Sequence, residues 1–191
     1  MHGIQFYSRF SPFHRKSNRI SELGISLEWR MHESLRFLDL SHNLISLFPS
    51  QLLIFPKLQT LLLDHNRISS FASIPITDGR KPSNSLRILS FHHNQVDCLP
   101  EILCSLCHSL AELWIHSNVL IDLPLNMSML TDLQTLTLSS NRLRRLPDIF
   151  NSMTSLNELW IQQNPLGQVP QSIWLRKIPI FLHNLAGASL M

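Results

Sequence analysis

Residues 133–156 read LQTLTLSSNRLRRLPDIFNSMTSL, and the spacing of the apolar residues within them indicates a structural repeat. Counted from Leu133, leucine stands at offsets 0, +3, +5, +10 and +13, asparagine at +8 and proline at +14. The apolar run then continues to Leu156, where the same pattern starts again. A unit this short cannot bury its apolar face alone, so copies of it are expected on both sides.

The same frame occurs six times along the chain. It starts at Leu35, Leu58, Leu86, Leu110, Leu133 and Leu156, at spacings of 23, 28, 24, 23 and 23 residues. Every copy has asparagine at +8, namely Asn43, Asn66, Asn94, Asn118, Asn141 and Asn164. Five copies have proline at +14, namely Pro49, Pro100, Pro124, Pro147 and Pro170. Agreement at this many positions indicates a stacked repeat and not chance.

The L-x-x-L-x-L-x-x-N-x-L frame resembles that of leucine-rich-repeat proteins, and it covers residues 35 to about 173. The LP-x-x-[LI]-x-x-L half of the unit is similar to the 23-residue Ras-group subclass. That subclass includes the leucine-rich scaffold that binds Ras-type GTPases, plant intracellular relatives and Scribble-type polarity scaffolds. The resemblance implies an α/β solenoid, with a curved parallel sheet of about six strands and irregular or short helical segments on its convex side.

The offsets also predict a role for each position of a repeat. Residues from about +2 to +6 should form a short parallel strand, with +3 and +5 facing the core and +2, +4 and +6 on the concave face. The asparagine amide at +8 can satisfy backbone groups left unpaired where the strand ends. After the proline, apolar residues three apart suit a 3₁₀ or short helical turn packed under the sheet.

The two ends depart from this frame. Residues 1–34 are predicted to be a basic N-terminal segment with a degenerate cap, residues 35–173 the six repeats, and residues 174–191 an apolar C-terminal cap or a truncated end. Residues 1–21 contain four basic side chains and no acidic one, which suits either a transit peptide or a poorly packed end. A seventh repeat would start at Pro179. The predicted N-terminal capping residues are Ile20, Leu23, Ile25 and Leu27.

Composition excludes several classes of protein. The formal charge is +3, but five of the 16 Lys and Arg precede residue 35, so the repeats are nearly neutral and show no basic stripe for nucleic acid. No secretory segment or 18-residue apolar run is present, so neither a signal peptide nor a membrane span is predicted. An odd, clustered set of three cysteines is not a disulfide framework. We therefore expect a monomer in a reducing compartment, the cytoplasm.

Two groups of residues resemble metal or haem ligands. Cys104-Ser105-Leu106-Cys107-His108 matches C-x-x-C-H, and Cys98 could join these residues around zinc, but the cysteines flank core positions of a tight coil. Histidines share offset +7 (His42, His65, His93) or +6 (His92, His116), about 4.8 Å apart on adjacent strands. Histidine or serine before the asparagine is ordinary in this repeat, so we expect no metal and no cofactor.

Nothing in the sequence predicts an enzyme: there is no Ser/His/Asp set, phosphate loop or paired-carboxylate motif. The second repeat contains extra residues within 73–85, predicted to be an exposed loop, where Arg80-Lys81-Pro82-Ser83 resembles a basophilic kinase site. Such tetrapeptides are common by chance, so phosphorylation of Ser83 is the weaker interpretation.

The concave face carries the predicted binding site. Repeats four and six both read Glu-Leu-Trp-Ile, so Trp114 and Trp160 should flank Thr137 on a step two strands wide. An exposed tryptophan is costly unless it is used, and tryptophan is enriched at interface hot spots. The alternative is that the two tryptophans merely cover one another. The predicted partner-binding residues are Trp114, Trp160, Glu112, Glu158, Thr137 and Leu62.

These observations predict a non-catalytic adaptor or scaffold that binds a protein partner, and the subclass resemblance implies small-GTPase, kinase or phosphatase signalling. Two alternatives stay open. The chain could be the repeat-domain fragment of a larger enzyme or receptor, or a structural unit without a partner.

Overall fold

A computed structural model describes residues 19–21, 34–73, 85–175 and 180–181. Its strands are β1 (Phe37–Asp39), β2 (Leu47–Phe48), β3 (Thr60–Leu62), β4 (Ser70–Phe71), β5 (Ile88–Ser90), β6 (Glu112–Trp114), β7 (Thr135–Thr137), β8 (Glu158–Trp160) and β9 (Ile180–Phe181). Seven of them form one parallel sheet in the order β1-β3-β5-β6-β7-β8-β9. The leucine-rich-repeat solenoid predicted from the sequence is confirmed.

The strands are shorter than predicted. Each repeat contributes residues +2 to +4 and not +2 to +6, as β1 shows with Phe37–Asp39. Hydrogen bonds between coils nevertheless continue past the strand, since Leu40 N donates to Leu62 O and His42 N to Asp64 O, both at 2.8 Å. The backbone therefore stays in register with its neighbours until it turns at +7.

A left-handed residue makes that turn in every repeat. The residue at +7 has φ between 53° and 58° in all six copies, namely His42, His65, His93, Ser117, Ser140 and Gln163. None of these is glycine, although a side chain in this region costs roughly 1–2 kcal/mol. The turn directs the following asparagine into the interior, so this local strain is offset by the bonds that the asparagine makes.

The asparagines join consecutive coils. Asn118 Nδ2 donates to Ile115 O of its own repeat and to Phe91 O of the preceding repeat, both at 3.1 Å, while its Oδ1 accepts from Val96 N at 3.0 Å. The equivalent bonds recur at Asn66, Asn94, Asn141 and Asn164. The predicted polar role is confirmed, and it extends to holding each repeat against the one before it.

The convex side consists of short helices over the core. Ser50–Ile54 and Leu125–Met129 are 3₁₀ helices, and two short α-helices, α1 (Glu101–Leu106) and α2 (Gln171–Leu175), occupy the same place in other repeats. The apolar residues three apart are buried beneath the sheet as predicted, at Leu52 and Phe55, Leu103 and Leu106, and Met127 and Leu130. A second small sheet, β2 with β4, was not predicted. It brings Phe48 and Phe71 within 4.7 Å, centroid to centroid.

Both ends contact the repeats. Ile20 packs against the core, and its backbone N–H donates to Asn43 Oδ1 at 3.2 Å while its carbonyl accepts from Leu44 N at 2.9 Å. At the other end Ile180 pairs with Leu159, the +3 residue of repeat six, so the start at Pro179 was wrong by two residues. The other capping residues, the insertion at 74–84 with Ser83, and residues 182–191 lie outside the described residues.

Candidate functional site

A row of alternating large and small side chains crosses the concave face at offset +4. The strand register places Leu62, Ser90, Trp114, Thr137 and Trp160 side by side on adjacent strands. The three large residues are therefore each separated by two strand spacings, about 9.6 Å. Ser90 and Thr137 are buried at 4% and 7% exposure, so they form the floor between the larger side chains.

The two tryptophans differ in exposure. Trp114 is 37% exposed, whereas Trp160 is partly buried. Trp114 Nε1 donates to Glu112 Oε2 at 3.0 Å, so the polar atom of the indole is satisfied within its own strand. The aromatic surface of Trp114 is thus held on the face with its only hydrogen-bond donor already engaged.

Carboxylates line the same part of the face at offset +2. Glu112 and Glu158 are both in register with Thr135, one strand away on either side. Glu158 is exposed and Glu112 partly so. All six predicted residues therefore lie on one face, and their role in partner binding stays a prediction.

A polar group built around Asp64 lies beside this row. The Asp64 carboxylate accepts a hydrogen bond from Ser90 Oγ and one from His92 N at 3.1 Å, and its Oδ2 lies 3.4 Å from His92 Nε2. Burial raises the pKa of Asp64 to about 6, against the opposing effect of these hydrogen bonds. Burial, followed by the neighbouring histidines, lowers the pKa of His92 to about 4. At neutral pH the pair is a carboxylate beside a neutral imidazole, not an ion pair.

The histidines form two stacked columns. His65 stacks between His42 and His93 with ring centroids 4.4 Å apart on each side, and His92 stacks on His116 at 4.2 Å. The columns meet where His92 and His93 lie edge to face at 5.1 Å. Sequence offsets predicted the columns but not this contact between them. His116 Nδ1 lies 3.1 Å from Thr137 Oγ1, which joins the columns to the tryptophan row.

Two of the three cysteines lie in the core. Cys104 and Cys107 are buried in the core itself, where sequence analysis placed them beside core positions, and Cys98 is exposed. Burial raises the pKa of both buried thiols to about 12, so they stay protonated. Among the described residues, the group that can bring three potential metal ligands together is His65, His92 and His93.

Comparison with known proteins agrees with this architecture. Residues 34–53 and 132–153 match the Leucine Rich Repeat family. The chain is 36% identical to human Lumican over 83 residues, and this aligned segment makes up 44% of the chain and 23% of Lumican. It resembles an LRR protein of Leptospira interrogans with a TM-score of 0.64 and 30% sequence identity, and the match covers 74% of this chain and 34% of that one. It also resembles the chain in the TLR13–ssRNA13 complex with a TM-score of 0.63 and 24% sequence identity, and this match covers 73% of this chain and 20% of that one. The chain thus spans about a third or less of the length of each of these proteins.

Proposed function

Because the chain folds as a leucine-rich-repeat solenoid, we propose that it is a non-catalytic module that binds a protein partner on its concave face. Curved repeat arrays use such faces as extended binding surfaces. Six strands of the repeats span about 25–29 Å, which is wide enough for the roughly 800 Å² that one side of a standard protein interface buries. None of the helices in the described part of the chain has the length and apolar character to cross a membrane.

The observation that carries the proposal is the exposure of Trp114 on this face. A tryptophan at 37% exposure, with its N–H already bound by Glu112, presents aromatic surface that water solvates poorly. The partly buried Trp160 lies two strands away across the buried Thr137. The part of the face between these two aromatic side chains, here called the slot, suits an apolar anchor from a partner.

The carboxylates on the concave face indicate what charge the rim of the partner should carry. Glu112 and Glu158 stand beside the slot at offset +2, so a partner with basic residues around an apolar centre is complementary. Rim charges mainly accelerate association at low salt, whereas the desolvated centre holds the complex together. The two classes of residue should therefore affect different rate constants.

The finer assignment is an adaptor or scaffold in small-GTPase, kinase or phosphatase signalling, in the cytoplasm. What supports it is the LP-x-x-[LI]-x-x-L unit, which resembles the Ras-group subclass. Cysteines that make no disulfide within the described residues are compatible with a reducing compartment. Imaging of the endogenous protein with an antibody tests the compartment, and detection outside cells would contradict it.

The direct experiment is affinity capture from native cells with mass spectrometry, using wild-type bait and a matched Trp114→Ala bait. A partner recovered by the first and lost by the second is then titrated in purified form. Trp114→Ala and Trp160→Ala should each weaken binding about thirtyfold or more, which corresponds to roughly 2 kcal/mol. Glu158→Gln should slow association at low salt, and the convex control Gln171→Ala should change nothing.

The outcome against this proposal is equally specific. If both tryptophan variants keep full affinity while a change within residues 73–85 abolishes it, the partner binds the insertion and not the concave face. Unaltered thermal unfolding of the tryptophan variants is required before either result is interpreted.

A second candidate is the repeat domain of a longer enzyme or receptor. It is favoured by the finding that the chain spans 23%, 34% and 20% of the three proteins it resembles. Transcript sequencing across both ends tests it. An open frame that continues into a catalytic domain supports this candidate, and in-frame stop codons on both sides contradict it.

A further inference from the structure

Three imidazoles from two adjacent repeats converge where the sheet ends. One ring nitrogen from each of His65, His92 and His93 lies within 4.8 Å of the others. His65 and His93 occupy the left-handed +7 positions of repeats two and three, and His92 precedes His93. The turn that places the asparagine inside thus also aims successive +7 side chains at one another.

His92 is the preorganised member of the three. Its Nδ1 is buried and has no hydrogen-bond partner among the described residues. On the other side of the ring, Nε2 lies 3.4 Å from Asp64 Oδ2. A carboxylate at Nε2 favours the tautomer that carries the proton there, which leaves the Nδ1 lone pair free. A metal ligand with a carboxylate behind it is the arrangement that orients histidine in many metal sites.

The carboxylate is itself held in place. Ser90 Oγ and His92 N both donate to Asp64 Oδ1, so the acid cannot rotate without losing these bonds. His92 also stacks on His116 at 4.2 Å, which fixes the plane of its ring. A bound ion would therefore find one ligand already oriented and would need to recruit the other two.

The other two ligands lie near enough to His92 to close around an ion. Zinc–nitrogen bonds of about 2.0–2.1 Å in a tetrahedral site place the nitrogens about 3.3 Å apart, so the three must approach by at most about 1.5 Å. His65 and His93 are exposed and stacked face to face, so closing the site would require their rings to leave this stack by rotation about the side-chain bonds.

From this the geometry points to a divalent transition-metal site, of the zinc type, formed by His65, His92 and His93 with Asp64 behind His92 and water as the fourth ligand. Three imidazoles suit Zn²⁺ and its neighbours Co²⁺, Ni²⁺ and Cu²⁺ better than Ca²⁺ or Mg²⁺, which prefer oxygen. The site would join repeats two and three. This opposes the expectation from the sequence that no metal binds.

Metal titration of the full, tag-free chain tests the site. Calorimetry with Zn²⁺ should give one equivalent bound, and Co²⁺ should develop the visible absorption of a tetrahedral ion, which Zn²⁺ then displaces. His93→Asn and His65→Asn should each weaken Zn²⁺ binding about tenfold or more, since even loss of a supporting carboxylate costs about 10–100-fold. Asparagine tolerates the left-handed backbone, so both variants should keep the fold.

Two further variants separate this site from loose binding by any of the 10 histidines. Asp64→Asn keeps an acceptor for the Ser90 and His92 donors but removes the charge, and should weaken Zn²⁺ about tenfold. His42→Asn is the matched control, because it changes the same +7 position in the same column without removing a ligand, and should change affinity less than about twofold. Equal losses in His42→Asn and His93→Asn, or no stoichiometric binding to the wild type, would overturn the proposal.

Discussion

Replacing one asparagine of the internal ladder tests the physical reasoning behind the fold. Asn118 is 7% exposed and lies in the fourth of six repeats, so the variant Asn118→Ala acts far from either end. Its amide bridges Ile115 O and Phe91 O and accepts from Val96 N. The change removes these bonds while leaving the apolar core in place.

The magnitude follows from what each partner retains. Phe91 O still accepts from Asn94 Nδ2 at 3.0 Å, and Ile115 O from Asn141 Nδ2 at 3.1 Å, so both carbonyls stay satisfied. Val96 N loses the acceptor that the structure gives it. One buried N–H left unpaired costs about 1–3 kcal/mol, so we expect a loss of about 2 kcal/mol.

Urea unfolding followed by circular dichroism measures this loss. With an m-value of about 2 kcal/mol/M, the midpoint should fall by about 1 M. Asn126→Ala is the control, because the Asn126 amide contacts Glu101 Oε2 at 3.2 Å on the surface, and it should shift the midpoint by less than about 0.3 M. Equal midpoints for Asn118→Ala and the wild type would refute the claim that the ladder holds the coils together.

Three other predictions concern the turn, the thiols and a surface pair. Ser117 has φ 55°, so Ser117→Val should lower stability by about 1–2 kcal/mol in thermal unfolding, while Ser117→Gly should cost less. A thiol reagent at pH 8 should label Cys98 in the native protein and the two buried cysteines only after denaturation. Arg145 donates to Asp122 at 2.7 Å and lowers the pKa of the Asp122 carboxyl. This pair therefore stabilises the fold at pH values above the pKa of Asp122 in the unfolded chain, and the stabilisation is lost as the pH falls through the lower pKa of the folded protein. Arg145→Gln should therefore matter only at low salt and above about pH 4.

Regular offsets explain which features could be predicted from the sequence. The apolar residues at +3 and +5 and the asparagine at +8 recur six times, so their offsets predict the core residues, the location of each strand and the asparagine ladder. The same counting placed Trp114 and Trp160 on one face with Thr137 between them. Repetition makes such positions predictable because every copy meets the same neighbours.

Features that depend on orientation or on a broken frame were not predictable in this way. The left-handed +7 residues include His42, Ser117 and Gln163, and none of them is the glycine that would have indicated a positive φ in the sequence. The contact between His92 and His93 depends on ring rotation, which the offsets do not fix. The register of Ile180 was missed because the repeat pattern is lost before it. The hydrogen bond between Trp114 and Glu112 could have been predicted from the sequence, since residues two apart on a strand lie on the same face.

The ladder has a consequence for how this chain can change during evolution. In repeats two to six the asparagine Oδ1 accepts from the preceding coil across 21, 26, 22, 21 and 21 residues, yet each of these five bonds measures 2.8–3.0 Å. The variation in length therefore leaves the polar spine formed by these bonds unchanged. Insertions and deletions between the bonded positions can therefore accumulate by drift while the concave face keeps its geometry. The length of a repeat and the shape of its concave strand are free to diverge at different rates.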